Sequence, residues 1–424
     1  MGGNTEKEIS MQPDTWQKLP LIAARHSEGI EKFLGGFMDM GGGADAGAEI
    51  LMVGAGSSEY IGKSLRPHLN RFGKHAASSC GTTDLVVSPE SCLSPKRKTL
   101  LVSFARSGDS PESVGAIRAA EAVCPRSQLR QLAFTCNRQG ALSAFCAKEN
   151  TRYVVDLPDE TNDKGFAMTN SFTSMYLMAL LCLLPGKRTE NTAAVADIAE
   201  AARRFLAAGA GSITNWADGI SYSRIVYLGA EALKGTAQES GLKMLELTRG
   251  GVAAIFDTPV GFRHGPKSFV DDGTLVVLYL SDDAFARKYE LDLLREMSRE
   301  RRGDKLLAIS GQPCGEAQAL ADAYYCFGNS ASHENGLLAP EFVLVAQMLA
   351  LRKSLSMRID PDNPNPAGIV NRVVRGVNIY PYQNASQGES TWDGVEYEEK
   401  RSGEQKSEMK QSEVMRSRTQ LCQT

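Results

Sequence analysis

The chain has 424 residues, 42% of them apolar and 23% charged, with a formal net charge of −3. That length supports two to three domains with buried cores, while the near-neutral balance excludes a global field able to hold nucleic acid or an anionic membrane surface, so any anion site must be built locally. Nine scattered cysteines (Cys80, Cys92, Cys124, Cys136, Cys146, Cys182, Cys314, Cys326 and Cys422) are odd in number and form no CxxC pair, which argues against a disulfide framework or zinc site and reads as reduced thiols in the cytoplasm.

The start, MGGNTEKEIS, has no basic region followed by an apolar core, and Glu6 stands where a myristoylation signal needs Ser or Thr. Residues 1–44 read as a helical segment. The run from Ile50 to Val53 has a buried-strand pattern that breaks into Gly54-Ala-Gly-Ser-Ser58, with a helix suited to the residues through Leu69. Such a turn presents free backbone N–H groups and a positive helix end to an anion, and Ser57 and Ser58 add hydroxyl donors. A dinucleotide fingerprint needs glycine at position 59, which is Glu59, so that reading fails.

A second strand, Thr99–Ser103, runs into Arg106-Ser-Gly-Asp-Ser-Pro111. Gly108 permits a tight bend, Ser110 suits the helix cap, Pro111 suits the first helical position, and Ser107, Ser110 and Arg106 are placed to meet phosphate oxygens. Taken alone, each serine at a helix start reads first as an ordinary cap. Two such turns on successive parallel strands gather at the strands' carboxyl ends, where ligands of open α/β sheets bind. A third strand, Gln131–Thr135, follows, and then the apolar run Met175–Leu184, which is too short to span a bilayer.

After an alanine-rich helical junction, Thr192–Ala208, the pattern repeats. Gly54 finds its counterpart in Gly229 and Thr99–Ser103 in Thr274–Leu278, both at an offset of 175, and Gln131–Thr135 finds Lys305–Ile309 at 174. Strands alternating with helices of this length imply parallel sheets covered on both faces. The expected fold is α/β: two tandem three-layer αβα modules with mainly parallel, flavodoxin-like sheets. Module 1 spans 45–185, a helical linker 186–214, module 2 215–355 and a C-terminal tail 356–382. From Gln383 the chain is polar and short of large apolar residues, which reads as disorder.

In the second module the helix after Gly229 carries Glu239, Lys243 and Glu246 on one face; spacing alone favours a solvated ion-pair stripe over a reactive cluster. Val260–Lys267 puts His264 in a glycine-flanked loop, either structural or available for proton exchange near neutral pH. The turn matching the second phosphate turn reads Ser281-Asp-Asp283, whose carboxylates oppose an anion, so this copy is expected to have lost phosphate binding.

Glu239–Glu246 followed by Arg263-His-Gly-Pro266, downstream of Ser103–Ser110, resembles the sugar isomerase (SIS) family, in particular the isomerase half of glucosamine-6-phosphate synthase. Over residues 8–382 the chain more closely resembles the AgaS proteins of amino-sugar catabolism, through Asp163–Thr169, Thr258–Ser268 and Asn371–Val377. The resemblance implies tandem SIS domains, a sugar phosphate held by Ser57, Ser58, Ser107 and Ser110, and Glu246 as the carboxylate that moves a proton between C1 and C2. It also implies that His264 opens the ring from a neighbouring subunit of a homodimer or higher oligomer, that Lys243 is an active-site lysine, and that no cofactor or metal takes part. The synthase's tail lysine is replaced here, in the stretch Pro366–Arg372, by Asn371 and Arg372. The implied activity is deaminating isomerisation of galactosamine 6-phosphate, with a plain aldose–ketose isomerase and a non-catalytic sugar-phosphate sensor as alternatives. No nucleic-acid or membrane partner is expected.

Overall fold

Buried parallel strands need apolar residues on both faces, and the central strands have them. The computed structural model describes residues 3–40, 48–300, 303–374 and 376–382. In the first half, β1 (Ala48–Gly54), β2 (Ala76–Gly81), β3 (Lys98–Ala105), β4 (Leu129–Thr135) and β5 (Arg152–Asp156) form an all-parallel sheet in the order β2-β1-β3-β4-β5. In the second, β6 (Arg224–Leu228), β7 (Ala253–Asp257), β8 (Thr274–Leu280), β9 (Lys305–Ser310) and β10 (Ala323–Cys326) form another in the order β10-β9-β8-β6-β7. Read from the other edge, the second order is the first again. Both are the doubly wound 2-1-3-4-5 arrangement, whose crossover reverses between its first and third strands and opens a crevice there.

The principal helices are α1 (Gly3–Ser10), α2 (Gln12–Leu34), α3 (Ser57–Phe72), α4 (Pro111–Val123), α5 (Asn170–Leu183), α6 (Arg188–Arg204), α7 (Ala232–Leu247), α8 (Ala284–Glu300) and α9 (Asn335–Ser356). Every residue of α5 is buried, which accounts for its apolar run; no helix among the described residues is long and apolar enough to cross a membrane. The expected junction is helical throughout, with α6 continuing through a π turn, Phe205–Gly209, into Ala210–Asp218. The eight described cysteines are all free. Cys422 and the polar stretch 383–424 lie outside the described residues.

The duplication reaches individual backbone angles. Helices α3 and α7 have equal length and begin and end at the same 175-residue offset. Gly56, just before α3, has φ 55° and ψ −126°; Glu231, just before α7, has φ 55° and ψ −122°. A side chain at Gly54 would meet the Ser58 backbone at 2.4 Å, and one at Gly229 the Leu233 carbonyl oxygen at 2.5 Å. Thus the same tight strand-to-helix turn is kept in both copies, although Glu231 holds a left-handed conformation that glycine adopts freely.

These two helices pack against each other and join the modules. Ser64 on α3 donates to the Ala232 carbonyl at 2.7 Å, and a Cβ on Gly235 would lie 2.5 Å from the Ser64 backbone nitrogen. Gly235→Ala must therefore push the helices apart, and overpacking of this kind costs about 1–3 kcal/mol. Chemical denaturation is expected to show an unfolding free energy lowered by that amount; an unchanged value would mean the helices slide without strain.

Candidate active site

The two turns singled out in the first module lie at the carboxyl ends of β1 and β3, beside the crossover reversal. Ser57 and Ser58 open α3 and are buried. The Ser58 hydroxyl contacts Met168 Sδ at 3.6 Å. Gly108 has φ 69°, the conformation its turn was expected to need, and the half-buried Ser107 hydroxyl accepts from the Asp109 N–H at 3.2 Å. Ser110 occupies the cap position before Pro111, but its side chain makes no capping bond. Its hydroxyl is not committed to α4, which differs from the cap reading and suits a ligand.

The stripe on α7 is not a solvated face. Lys243 and Glu239 are fully buried and Glu246 keeps 24% of its side chain exposed, because α7 turns this face onto α3. Lys243 Nζ donates to Glu246 Oε2 at 2.6 Å and to Ser57 Oγ at 2.8 Å. It also stands 3.2 Å from Glu239 Oε1; neither Glu239 oxygen has a hydrogen-bond partner, so this contact is an ion pair without hydrogen-bond geometry. Burial pushes the Glu239 carboxyl up to about 7 against the opposing pull of Lys243. Burial alone would lower the Lys243 pKa, but Glu239 and Glu246 outweigh it and hold the ammonium above the ordinary lysine value. One lysine thus links a phosphate-turn serine of the first module to two carboxylates of the second.

Arg106 and Arg372 meet by another route. Arg106 is buried and donates to the carbonyls of Phe166 at 3.1 Å and Arg372 at 2.7 Å. Arg372 in turn donates to the Asp163 carbonyl at 2.9 Å and to Asn162 Oδ1 at 3.0 Å. Both guanidiniums therefore fasten the C-terminal tail to the 162–166 loop. Asn371 is exposed and donates to the Gly368 carbonyl, away from this junction.

The loop itself is organised by two carboxylates whose task sequence patterning did not reveal. Asp163 accepts from the N–H groups of Thr169 and Ser171, and Glu8 on α1 accepts from those of Lys164 and Gly165. Burial, then Asp163, raises the Glu8 carboxyl to about 7. Asp362 in the tail accepts from the N–H groups of Asn4 and Thr5 and so caps α1. Asp163–Thr169 was distinctive in the sequence, but its structural task is visible only once its partners from both chain ends are in place.

His264 stands apart. It follows the short helix Pro259–Phe262 and is exposed, and among the described residues no hydrogen bond or ion pair joins its side chain to the Lys243 cluster. Arg263 and Lys267 on either side both pair with Glu296 of α8 and fasten the loop. Pro266 opens a four-residue 3-10 turn.

In the second module the counterpart of the phosphate turns is closed by carboxylates. Glu290 accepts from the Ser281 N–H at 2.8 Å and from its hydroxyl. Asn335 donates to the Ser281 hydroxyl at 3.0 Å and to Glu231 Oε2 at 2.9 Å, while Arg287 pairs with Asp282 at 2.9 Å. Burial raises the fully buried Glu290 carboxyl to about 7. A carboxyl raised on folding contributes its stability below about 4.5 and loses it as pH rises through 7. Glu290→Gln removes that dependence, so relative to the parent it should gain roughly 3 kcal/mol between pH 4.5 and pH 8. Denaturant midpoints at those two pH values test this, and a pH-independent difference would contradict the shift.

No protein-family model matches the chain. The D-galactosamine-6-phosphate deaminase AgaS of Shewanella sp. (strain ANA-3) is 39% identical over 383 residues, 89% of this chain and 92% of that protein. A Clostridium novyi crystal structure, provisionally assigned as a tagatose-6-phosphate ketose/aldose isomerase, superposes with a TM-score of 0.85 at 38% identity, covering 90% of this chain and 96% of the other. The Escherichia coli tagatose-6-phosphate ketose/aldose isomerase superposes at 0.80 with 35% identity, covering 90% and 98%. With matched sheets, matched strand-to-helix turns and this similarity along nearly all the described residues, the chain belongs to the AgaS-type family of SIS-domain proteins.

Proposed function

We propose that the protein is an enzyme that converts D-galactosamine 6-phosphate and water into D-tagatose 6-phosphate and ammonia, working in the cytoplasm as a homodimer or higher homo-oligomer. The observation that carries this reading is the Lys243 bridge, which puts the Glu246 carboxylate beside Ser57. A base is thereby held within a phosphorylated sugar's length of the groups that grip its phosphate. The substrate is taken from the AgaS relatives, which are D-galactosamine-6-phosphate deaminases.

In this mechanism Ser57, Ser58, Ser107 and Ser110, with the backbone of the Gly108 turn, bind the phosphate. Arg106 and Arg372 hold the tail against the loop that walls this site. His264, exposed on its own chain, is supplied by a second copy and passes a proton between the anomeric hydroxyl and the ring oxygen, which opens the ring. The aldehyde acidifies C2–H. Glu246 takes that proton, leaving a C1–C2 enolamine, and returns it to C1, so the amine becomes a C2 imine. Water adds to the imine and ammonia leaves, giving the ketose. Lys243 keeps Glu246 oriented and compensates the charge of Glu239.

The E. coli neighbour's name favours a second reading, a plain aldose–ketose isomerase acting on a 2-hydroxyl with the same residues. Purified protein is incubated with galactosamine 6-phosphate, glucosamine 6-phosphate, N-acetylgalactosamine 6-phosphate and tagatose 6-phosphate while ammonia and ketose are followed together. Equal release of ammonia and ketose from galactosamine 6-phosphate is expected. Ketose interconversion without ammonia would establish the plain isomerase, and turnover of none of these compounds would favour a sensor.

A further inference from the structure

The loop from Asn162 to Thr169 lies between the N-terminal helix and both phosphate turns, and its backbone is gripped from the two sides. On the outer side Glu8 of α1, a buried residue, accepts from the Lys164 N–H at 2.5 Å and from the Gly165 N–H at 3.2 Å. On the inner side the carbonyls of Gly165 and Phe166 accept from Arg106 of the second turn at 3.5 and 3.1 Å. Met168 Sδ meets the Ser58 hydroxyl of the first turn at 3.6 Å. Gly165 is therefore held through its N–H by α1 and through its carbonyl by a phosphate turn.

The approach is too close for a residue with a side chain. A Cβ on Gly165 would stand 2.7 Å from Thr5 Oγ1 and 2.9 Å from Glu8 Oε2. A helix of eight residues is not stable by itself, and α1 is fixed by the tail: Asp362 accepts from the Asn4 N–H at 2.7 Å, the Thr5 N–H at 2.8 Å and the Thr5 hydroxyl at 2.7 Å. Thr5, Glu8 and Ile9 form the buried face of α1, whereas Glu6 and Lys7 are exposed. The charged neighbours that act on Glu8, Asp163 and Asp362, are both acidic. A carboxylate buried in such company costs folding free energy, and groups of this kind gather at functional sites.

We propose that Glu8 is a positioning residue for the phosphate site, given that the two turns bind the phosphate as described above: through the Lys164–Gly165 backbone it holds Phe166 and Met168 against Arg106 and Ser58, so that both turns are preformed when the sugar phosphate arrives. Preorganisation of this kind raises affinity by lowering the ordering cost of binding. Glu246 and Lys243 stand on α7 of the other module. Loss of Glu8 therefore weakens binding and spares the proton transfer.

The test is calorimetric titration of the full-length protein with inorganic phosphate at pH 8, above the value of about 7 to which Glu8 is raised. The parent is compared with Glu8→Gln, with Asp362→Asn, and with Ser107→Ala combined with Ser110→Ala. Glutamine keeps the shape of the side chain but offers one acceptor oxygen to two N–H groups, so phosphate binding should weaken about 3- to 10-fold. Asp362→Asn, which loosens α1 without removing a bond to the loop, should weaken it in the same direction. With galactosamine 6-phosphate, KM of Glu8→Gln should rise by the same factor while kcat keeps its parental value, the signature of lost uniform binding. Parental phosphate affinity in Glu8→Gln, with the serine variant impaired, overturns the proposal alone. Binding that ignores the serines overturns the phosphate assignment and the proposal with it. A lowered kcat at unchanged KM would make Glu8 a determinant of stability and also overturns the proposal. If Glu8→Gln does not fold, parental affinity in Asp362→Asn decides against it.

Discussion

Glu246→Gln is expected to lower turnover by about 10² to 10⁴, the usual contribution of a positioned general acid–base group, with little change in the affinity for sugar phosphate. The substitution keeps the shape of the side chain and an oxygen that can accept from Lys243 Nζ, now 2.6 Å from the carboxylate. Glutamine has no ionisable oxygen, so the C2 proton has nowhere to go. The phosphate turns lie on β1 and β3 of the other module and are untouched. Initial rates of ammonia release over a substrate series separate the two effects: kcat should fall while KM stays near its parental value. Near-normal turnover would remove Glu246 from the chemistry.

Lys243→Met has the largest expected effect on stability. It leaves Glu239 and Glu246 facing each other with their shared ammonium gone, and Glu239 is fully buried. Breaking a buried charge pair by removing one partner typically costs about 3–5 kcal/mol. The loss should be largest near pH 8. Glu239, already raised to about 7 by burial, protonates as pH falls, and by pH 5 the uncompensated charge is relieved. The sign follows from the folded pKa lying above the ordinary carboxylate value. Denaturant unfolding at the two pH values checks this, and the double variant with Glu239→Gln should recover part of the loss at pH 8. An equal loss at both pH values would mean that Lys243 contributes packing and not charge compensation.

The strands that sequence patterning located are the ones buried on both faces. β3, β6 and β8 are nearly continuous apolar runs, and each stands out without help from its neighbours. Strands β2, β5, β7 and β10 were missed because they are partly exposed. Ala76–Gly81 reads AASSCG, and Ala323–Cys326 is half-buried throughout, so neither shows an apolar run or a clean alternation. The turn at Gly54–Ser58 was legible because its backbone requirement falls on glycine. Its twin is matched through Gly229, although Glu231 takes the angles of Gly56 without the glycine signature.

The active cluster was legible in part. Spacing put Glu239, Lys243 and Glu246 on one face of a helix, but whether that face met solvent or α3 depends on how the modules pack, which no local pattern encodes. The tasks of Arg106 and Arg372 were equally remote from the sequence. A basic residue in a phosphate turn looks like an anion ligand, whereas here each guanidinium ends on backbone carbonyls brought from up to 266 residues away. Glu8 and Asp362 are of the same kind, since their partners lie 156 and 357 residues away.

The central claim is that one module grips the phosphate while the other performs the chemistry. The most direct measurement is calorimetric binding of galactosamine 6-phosphate to the catalytically silenced Glu246→Gln protein, with and without Ser107→Ala and Ser110→Ala. Hydrogen bonds to a charged group contribute about 1.5–3 kcal/mol each. The account therefore predicts a near-parental affinity for Glu246→Gln alone and a loss of at least tenfold when the serines are removed. Binding indifferent to the serines, or abolished by Glu246→Gln itself, would contradict it.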